Sequence, residues 1–285
     1  MNSAEVLNFN MPVNLSTTTK PTWCPGCWNF QILAGVKNCL GKRIKNEEDR
    51  KNYAIVAGIG CHAKIFDYLN LNGINGLHGR VLPTALGVKI GNPNLNLIGF
   101  SGDGDCYAEG MEHLIHAARY NANIKYLVHN NQVFSLTVGQ PTPVTEMGFK
   151  DKTTPAGVKY PPINSIRLML AAGATFVARV YADVKQVEEV LEEAFKHKGF
   201  AFIEIIQPCL IFHPDLDYKK YTYFLKDQKH DDKNWEEAMK KAQEFDYNLP
   251  NEKTKIPLGI FYRNEERATF EENLVKIEPK KDIKK

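Results

Sequence analysis

Between residues 53 and 206 the chain alternates apolar runs of strand length with stretches of helical period. YAIVAG (53–58), LNLIGFSG (95–102), IKYLVHN (124–130), residues 175–179 and AFIEII (201–206) read as buried strands. Residues 109–120 read as a helix, as do residues 184–198, where Val184, Val187, Val190, Leu191, Ala194 and Phe195 share one face. Strand–helix alternation of this kind predicts an α/β fold with a doubly wound, mostly parallel sheet covered on both sides. Five prolines between 137 and 162 mark a long loop, and loops of that length in compact domains tend to serve function. The polar residues 1–19 are expected to form a flexible leader, and residues 20–212 the α/β body. Residues 213–285, where the period fades, are expected to be an irregular extension packing on the body or on a partner.

Bulk composition narrows the class without naming it. At 285 residues with 43% hydrophobic and 24% charged positions, this is an ordinary globular chain with room for a substantial core. A net charge of +3 gives no argument for nucleic acid, and no apolar run approaches a membrane span. The Lys-rich residues 276–285 read as a solvated terminus. No basic segment followed by an apolar stretch opens the chain, so the expected address is cytoplasmic. Six cysteines in such a setting point to metal or redox chemistry more than to disulfides.

Two motifs sit at predicted strand ends. Gly102-Asp103-Gly104-Asp105 closes one strand and Asn130-Asn131 closes the next, with room between them for one helix and one strand. Both therefore belong on the carboxyl edge, where open α/β sheets bind ligands. A carboxylate, an amide oxygen and a nearby backbone carbonyl suit a hard cation that keeps two phosphate oxygens and a water. Four cysteines form a second group: Cys24 and Cys27 in a Pro-Gly turn, and Cys61 and Cys209 after predicted strands. Four thiolates can hold zinc or a 4Fe-4S cluster, and the single CxxC favours the cluster over a two-knuckle zinc ribbon. Cys39 reads as a core residue on a helix, and Cys106 as a packed thiol or a lining of the adjacent pocket.

The segments WCPGCWNF (23–30), GIGCHAKI (58–65), LHGR (77–80), SGDGD (101–105) and NNQVFSLTVGQ (130–140) together resemble the β subunits of 2-oxoacid:ferredoxin oxidoreductases. FVARVYADVK (176–185), HKGFAFIEIIQPC (197–209) and IPLGIFY (256–262) extend the likeness over residues 20–270. The resemblance implies a fold of the thiamine-diphosphate-binding type. It implies magnesium held by Asp103, Asn131 and the main-chain oxygen of Val133, and one 4Fe-4S cluster on Cys24, Cys27, Cys61 and Cys209. Cofactor contacts are implied for Ile59, Gly60, Cys61, His62, Gly76, Leu77, His78, Gly79, Gly104, Asp105, Ser135 and Leu136. Lys64 falls where the family has a lysine near the substrate, although a surface lysine is the plainer reading.

The implied reaction is coenzyme A-dependent oxidative decarboxylation of a 2-oxoacid, with electrons passing through the cluster to ferredoxin. It needs an α subunit, which in this family brings the glutamate that activates the cofactor. Glu109 and Glu112 are poor substitutes at the start of a helix, where acids favour the dipole. Three positions depart from the family pattern. Asn130 stands where Asp is frequent, Phe134 where Tyr is frequent, and Val138 where Lys or Gly is usual, Lys being common where 2-oxoglutarate is the substrate. The rival readings are a non-redox thiamine-diphosphate decarboxylase or synthase subunit, and a zinc-stabilised scaffold without catalysis.

Overall fold

The structure, a computed structural model, describes residues 13–248 and 251–274. Among these residues the ten strands are β1 (Tyr53–Ala57), β2 (Asn72–Asn75), β3 (Asn96–Gly102), β4 (Ile124–Asn130), β5 (Val133–Phe134), β6 (Gln140–Pro141), β7 (Phe176–Tyr181), β8 (Ala201–Ile206), β9 (Thr222–Phe224) and β10 (Ile256–Arg263). Eight of them form one sheet in the order β2-β1-β3-β4-β8-β7-β10-β9, while β5 and β6 pair as a small ribbon. The six strands from β2 to β7 run parallel, and β10 joins β7 antiparallel with β9 parallel to it at the edge.

The central strands are buried along their whole length, because helices cover both faces. Alternate residues serve opposite cores: Tyr126 and Val128 of β4 face one, and Leu127 faces the other. The first core lies under α3 (Val81–Gly91), α5 (Met111–Tyr120), α6 (Ser165–Ala171) and α8 (Trp235–Ala242). The second lies under α1 (Asn29–Arg43) and α7 (Val184–Lys196), which pack against each other. The short helices α2 (Glu47–Lys51), α4 (Asp103–Tyr107) and α9 (Phe270–Leu274) complete the α-helices among the described residues. No described helix is long and apolar enough to cross a membrane.

The five predicted strands and two predicted helices are all present, within a few residues at their ends. The described parts of the two end segments are more ordered than their sequence suggests. Of the expected leader, residues 1–12 lie outside the described residues, but residues 13–19 are not loose. Leu15 is buried, Ser16 bridges to Leu69, and the Thr17 hydroxyl donates to the Asp67 carbonyl at 2.5 Å. The expected irregular extension contributes α8, β9 and β10, the last two lengthening the main sheet. The Lys-rich residues 276–285 fall outside the described residues.

A buried ion pair binds this late segment to the body. Arg179 on β7 and Glu204 on β8 are register partners, both fully buried, with Nε 2.6 Å from Oε2. Glu204 also accepts from the Tyr247 hydroxyl at 2.8 Å, the Ser165 hydroxyl at 2.9 Å and the Asn130 amide at 2.8 Å. Arg179 lies against the rings of Phe245, Tyr247 and Phe261. A buried pair adds little net stability, but removing one partner strands the other charge in the interior. Arg179→Met is therefore expected to destabilise the chain by about 3–5 kcal/mol, whereas Arg179→Met with Glu204→Gln recovers much of the loss. Urea unfolding followed by circular dichroism checks this; equal losses in the single and double variants would contradict it.

Candidate cofactor and cluster site at the carboxyl edge

β1, β3 and β4 are neighbours and run parallel, so the loops that follow them open side by side. They enclose a cavity of about 80 Å³. Asp103, Asn131 and Val133 line it together with Ile59, Gly60, Cys61, His62, His78, Gly104, Asp105, Ser135 and Leu136. The remaining predicted contacts, Gly76, Leu77 and Gly79, do not line it. Gly76 instead donates its N–H to Ala57, Leu77 is largely exposed at the rim, and Gly79 supports Asp105 from behind.

Asp105 ties these loops together. Its Oδ1 accepts from the Gly79 N–H at 2.7 Å and the Ile59 N–H at 3.4 Å, and its Oδ2 accepts from the Ser101 hydroxyl. His62 stands 3.5 Å and His78 3.3 Å from the same carboxylate. Burial alone would raise this carboxyl, but His62, then Ser101 and Gly79, outweigh it and hold Asp105 below the ordinary carboxylate value. Two glycines are required by close approach. A Cβ on Gly58 would lie 2.0 Å from Asp105 Oδ2, and one on Gly104 would lie 2.2 Å from the Phe134 ring.

Asp103 has no such support. It is buried, receives the Thr142 hydroxyl at 2.6 Å and the Asn131 N–H at 3.4 Å, and enters no ion pair among the described residues. Burial pushes its carboxyl up to about 7. A carboxylate so desolvated and without a countercharge suits a bound divalent cation. The Asn131 turn is set by its neighbours: Gln132 adopts φ 59°, its N–H donates to Asn130 Oδ1 at 3.2 Å, and its carbonyl accepts from Thr145. Thr142 and Thr145 escape the sequence reading, because nothing in PTPVT marks a contact with residues far away in the chain.

The four predicted cluster cysteines line a second cavity, of about 60 Å³, together with Lys64. It shares Cys61, Asn131 and Ser135 with the first. Lys64 thus faces the cysteine side, where its ammonium donates to the Thr22 carbonyl at 3.3 Å. Burial raises the Cys27 and Cys61 thiols, against N–H donors from Asn29 and the hydroxyl of Ser135. Thiols in that condition suit a metal-bearing group that supplies positive charge. Among the described residues no three His, Cys, Asp or Glu side chains converge closely enough to hold a single metal ion. Cys39, buried in α1, is pushed up to about 12, and Cys106 is buried outside both cavities, so both are packed thiols. A larger cavity of about 590 Å³, between α7 and β10, shares no lining residue with either and carries neither motif.

Residues 58–205 match the family model for the C-terminal thiamine-pyrophosphate-binding domain of thiamine pyrophosphate enzymes. Residues 217–279 match the C-terminal region of pyruvate ferredoxin oxidoreductase beta subunits. The 2-oxoacid:ferredoxin oxidoreductase subunit beta of Saccharolobus solfataricus is 38% identical over 90% of this chain and 86% of its own length. The 2-oxoglutarate synthase subunit KorB of Archaeoglobus fulgidus is 39% identical over 68% and 72%. Among solved structures, the 2-oxoglutarate:ferredoxin oxidoreductase from Magnetococcus marinus, with 2-oxoglutarate, coenzyme A and succinyl-CoA bound, superposes with a TM-score of 0.84. It is 30% identical, over 96% of this chain and 91% of that one.

The contact between Gly58 and Asp105 gives a direct test of this architecture. Gly58→Ala is expected to displace the Asp105 carboxylate and weaken thiamine diphosphate binding by at least about tenfold, the effect of roughly 1.4 kcal/mol. Gly41→Ala, on an open face of α1 with nothing within 4 Å, is expected to leave affinity unchanged and to stabilise the chain by up to about 1 kcal/mol. Isothermal titration of both variants separates the two outcomes.

Proposed function

The chain belongs to the beta subunits of the 2-oxoacid:ferredoxin oxidoreductases, and on that premise we propose that it carries the redox half of the active site. The reaction proposed is oxidation of a 2-oxoacid to acyl-CoA and CO2, with coenzyme A as acyl acceptor and ferredoxin as electron acceptor. The observation that carries this reading is the adjacency of the two cavities, which share Cys61, Asn131 and Ser135. A cofactor held in one would stand beside a cluster held in the other.

Asp103, Asn131 and the Val133 carbonyl would hold magnesium and through it the diphosphate. Cys24, Cys27, Cys61 and Cys209 would hold one 4Fe-4S cluster. Bound thiamine diphosphate supplies a nucleophilic carbon and an electron sink, and the chain's own side chains position it and keep water out. Lys64, on the cluster side, offers a cation for a substrate carboxylate. The aspartates lining the cofactor cavity are Asp103 and Asp105, while Glu109 and Glu112 are exposed outside it. The activating glutamate is therefore assigned to an α subunit. Exposed Ile59, Leu77 and Leu136 around the mouth offer apolar surface for that partner. A cytoplasmic address suits six free cysteines.

Anaerobically purified chain is expected to carry about four irons and to bind thiamine diphosphate only with magnesium. Asp103→Ala should keep the iron and the fold but lose magnesium-dependent cofactor binding. Stoichiometric zinc without iron, or unchanged cofactor content in folded Asp103→Ala, would overturn the assignment.

Substrate choice is read from Val138, a β-branched residue held at φ 72° and 64% exposed beside Leu136. It offers no charge to a distal carboxylate, and a carboxylate left unpaired in a desolvated pocket is strongly disfavoured. Pyruvate and other monocarboxylic 2-oxoacids are expected to outcompete 2-oxoglutarate in kcat/KM for the assembled complex. Val138→Lys should shift that ratio toward 2-oxoglutarate by about tenfold or more, as one new charge-assisted pair allows. A wild-type preference for 2-oxoglutarate would show that the partner subunit sets specificity.

A further inference from the structure

Cys27 differs from an ordinary buried thiol in what points at it. Asn29, buried two residues later at the start of α1, donates from Nδ2 to Cys27 Sγ at 3.6 Å. Gln207, buried two residues before Cys209, donates from Nε2 to the same sulfur at 3.9 Å. The orientation of the Asn29 amide is fixed from its other end. Its Oδ1 lies 2.9 Å from Nδ1 of His129, a buried residue at the end of β4, two positions before Asn131. Among the described residues neither the other His129 nitrogen, Nε2, nor Gln207 Oε1 makes a hydrogen bond of ordinary geometry.

An imidazole N–H on Nδ1 and one on Nε2 alone set opposite orientations for the Asn29 amide. Only two arrangements are then open. With the proton on Nδ1, His129 donates to Asn29 Oδ1 and the amide N–H groups face the sulfur, as observed. With the proton on Nε2, the bare Nδ1 attracts the amide N–H instead, and the Asn29 oxygen is turned against the sulfur. A thiolate repels that oxygen and attracts the donors, so a charged Cys27 selects the first arrangement. Hydrogen bonds to ligand sulfurs favour the more negative, reduced form of an iron–sulfur cluster and so raise its potential.

We infer that Asn29 and Gln207 set the reduction potential of the cluster through Cys27, and that His129 is a positioning residue that locks the Asn29 donor toward the sulfur. This deepens the reading of Cys24, Cys27, Cys61 and Cys209 as cluster ligands and rests on it. It gives β4 two duties at one end. Its last turn presents Asn131 to the proposed metal, and its penultimate side chain holds the donor that makes the cluster easier to reduce.

The test is an EPR-monitored potentiometric titration of the complete complex, with iron counted in every preparation. Asn29→Ala should keep its iron and reduce at a lower potential, by up to about 59 mV, a tenfold change in a one-electron equilibrium. Asn29→Asp, which keeps the shape but brings charge in place of the N–H donors, should fall further. Gln207→Leu should fall less, and His129→Phe should lie between wild type and Asn29→Ala. An unchanged midpoint in iron-replete Asn29→Ala would overturn the inference. Should that variant lose its cluster, unchanged midpoints in both Gln207→Leu and His129→Phe would overturn it equally. Wild-type complex without iron would instead remove the ligand assignment itself, a failure told apart by the iron count.

Discussion

The Asp105 carboxylate is the constraint on which the carboxyl edge depends. It is buried, and it is held charged by two backbone N–H groups, Ser101 and His62, with His78 beside it, drawn from three separate segments. An acid placed there cannot be traded for a neutral residue without releasing the loops after β1 and β2 at once. The glycine at 58 follows from it, since only a residue without a side chain lets that carboxylate approach so closely. Asp103, two residues earlier, has the opposite character: it is buried without a countercharge and is suited to receive one from outside. The GDGD motif thus divides its two aspartates between holding the loops and standing buried without a countercharge.

A second polar network supports the neighbouring turn. Glu204 grips Asn130, Asn130 accepts the Gln132 N–H, and Gln132 holds the left-handed backbone that turns Asn131 toward the cavity. The amide at 130 fits this arrangement, because an aspartate there would face Glu204 across 2.8 Å. The departure from the family pattern at this position therefore has a local physical reason. Its partner is already a carboxylate, and that carboxylate is committed to Arg179 and Tyr247.

Much of this was legible in the sequence where the signal is local. Strands buried on both faces are written as apolar runs, and α7 shows its period plainly under an Asp183 cap. The strand-end motifs GDGD and NN could be paired because parallel strands put their ends on one edge. Other elements left no such trace. Helix α3 carries Pro83 within its first turn and two glycines, and its apolar residues do not form a stripe. Strand β10 contains Pro257 and Gly259 and joins the sheet against its direction. Thr142 and Gln207 acquire their meaning only from atoms far away in the chain, as does Asn29 in its contact with His129. The grouping of Lys64 with the cysteines, and not with the cofactor cavity, is likewise a matter of which way one turn of 3₁₀ helix faces.

The placement of Tyr247 has a consequence for how the chain is made. Every cysteine and both aspartates of the edge are synthesised by residue 209, yet the ring and hydroxyl that close over Arg179 and Glu204 come later, and β10 later still. Until then a salt bridge meant for a dry interior stands in water on a growing edge of the sheet. A nascent chain can thus display all its candidate ligands while the Asn130 turn is still slack. Loading of metals during synthesis would meet an immature site, so the order of events favours insertion after the last strand has docked.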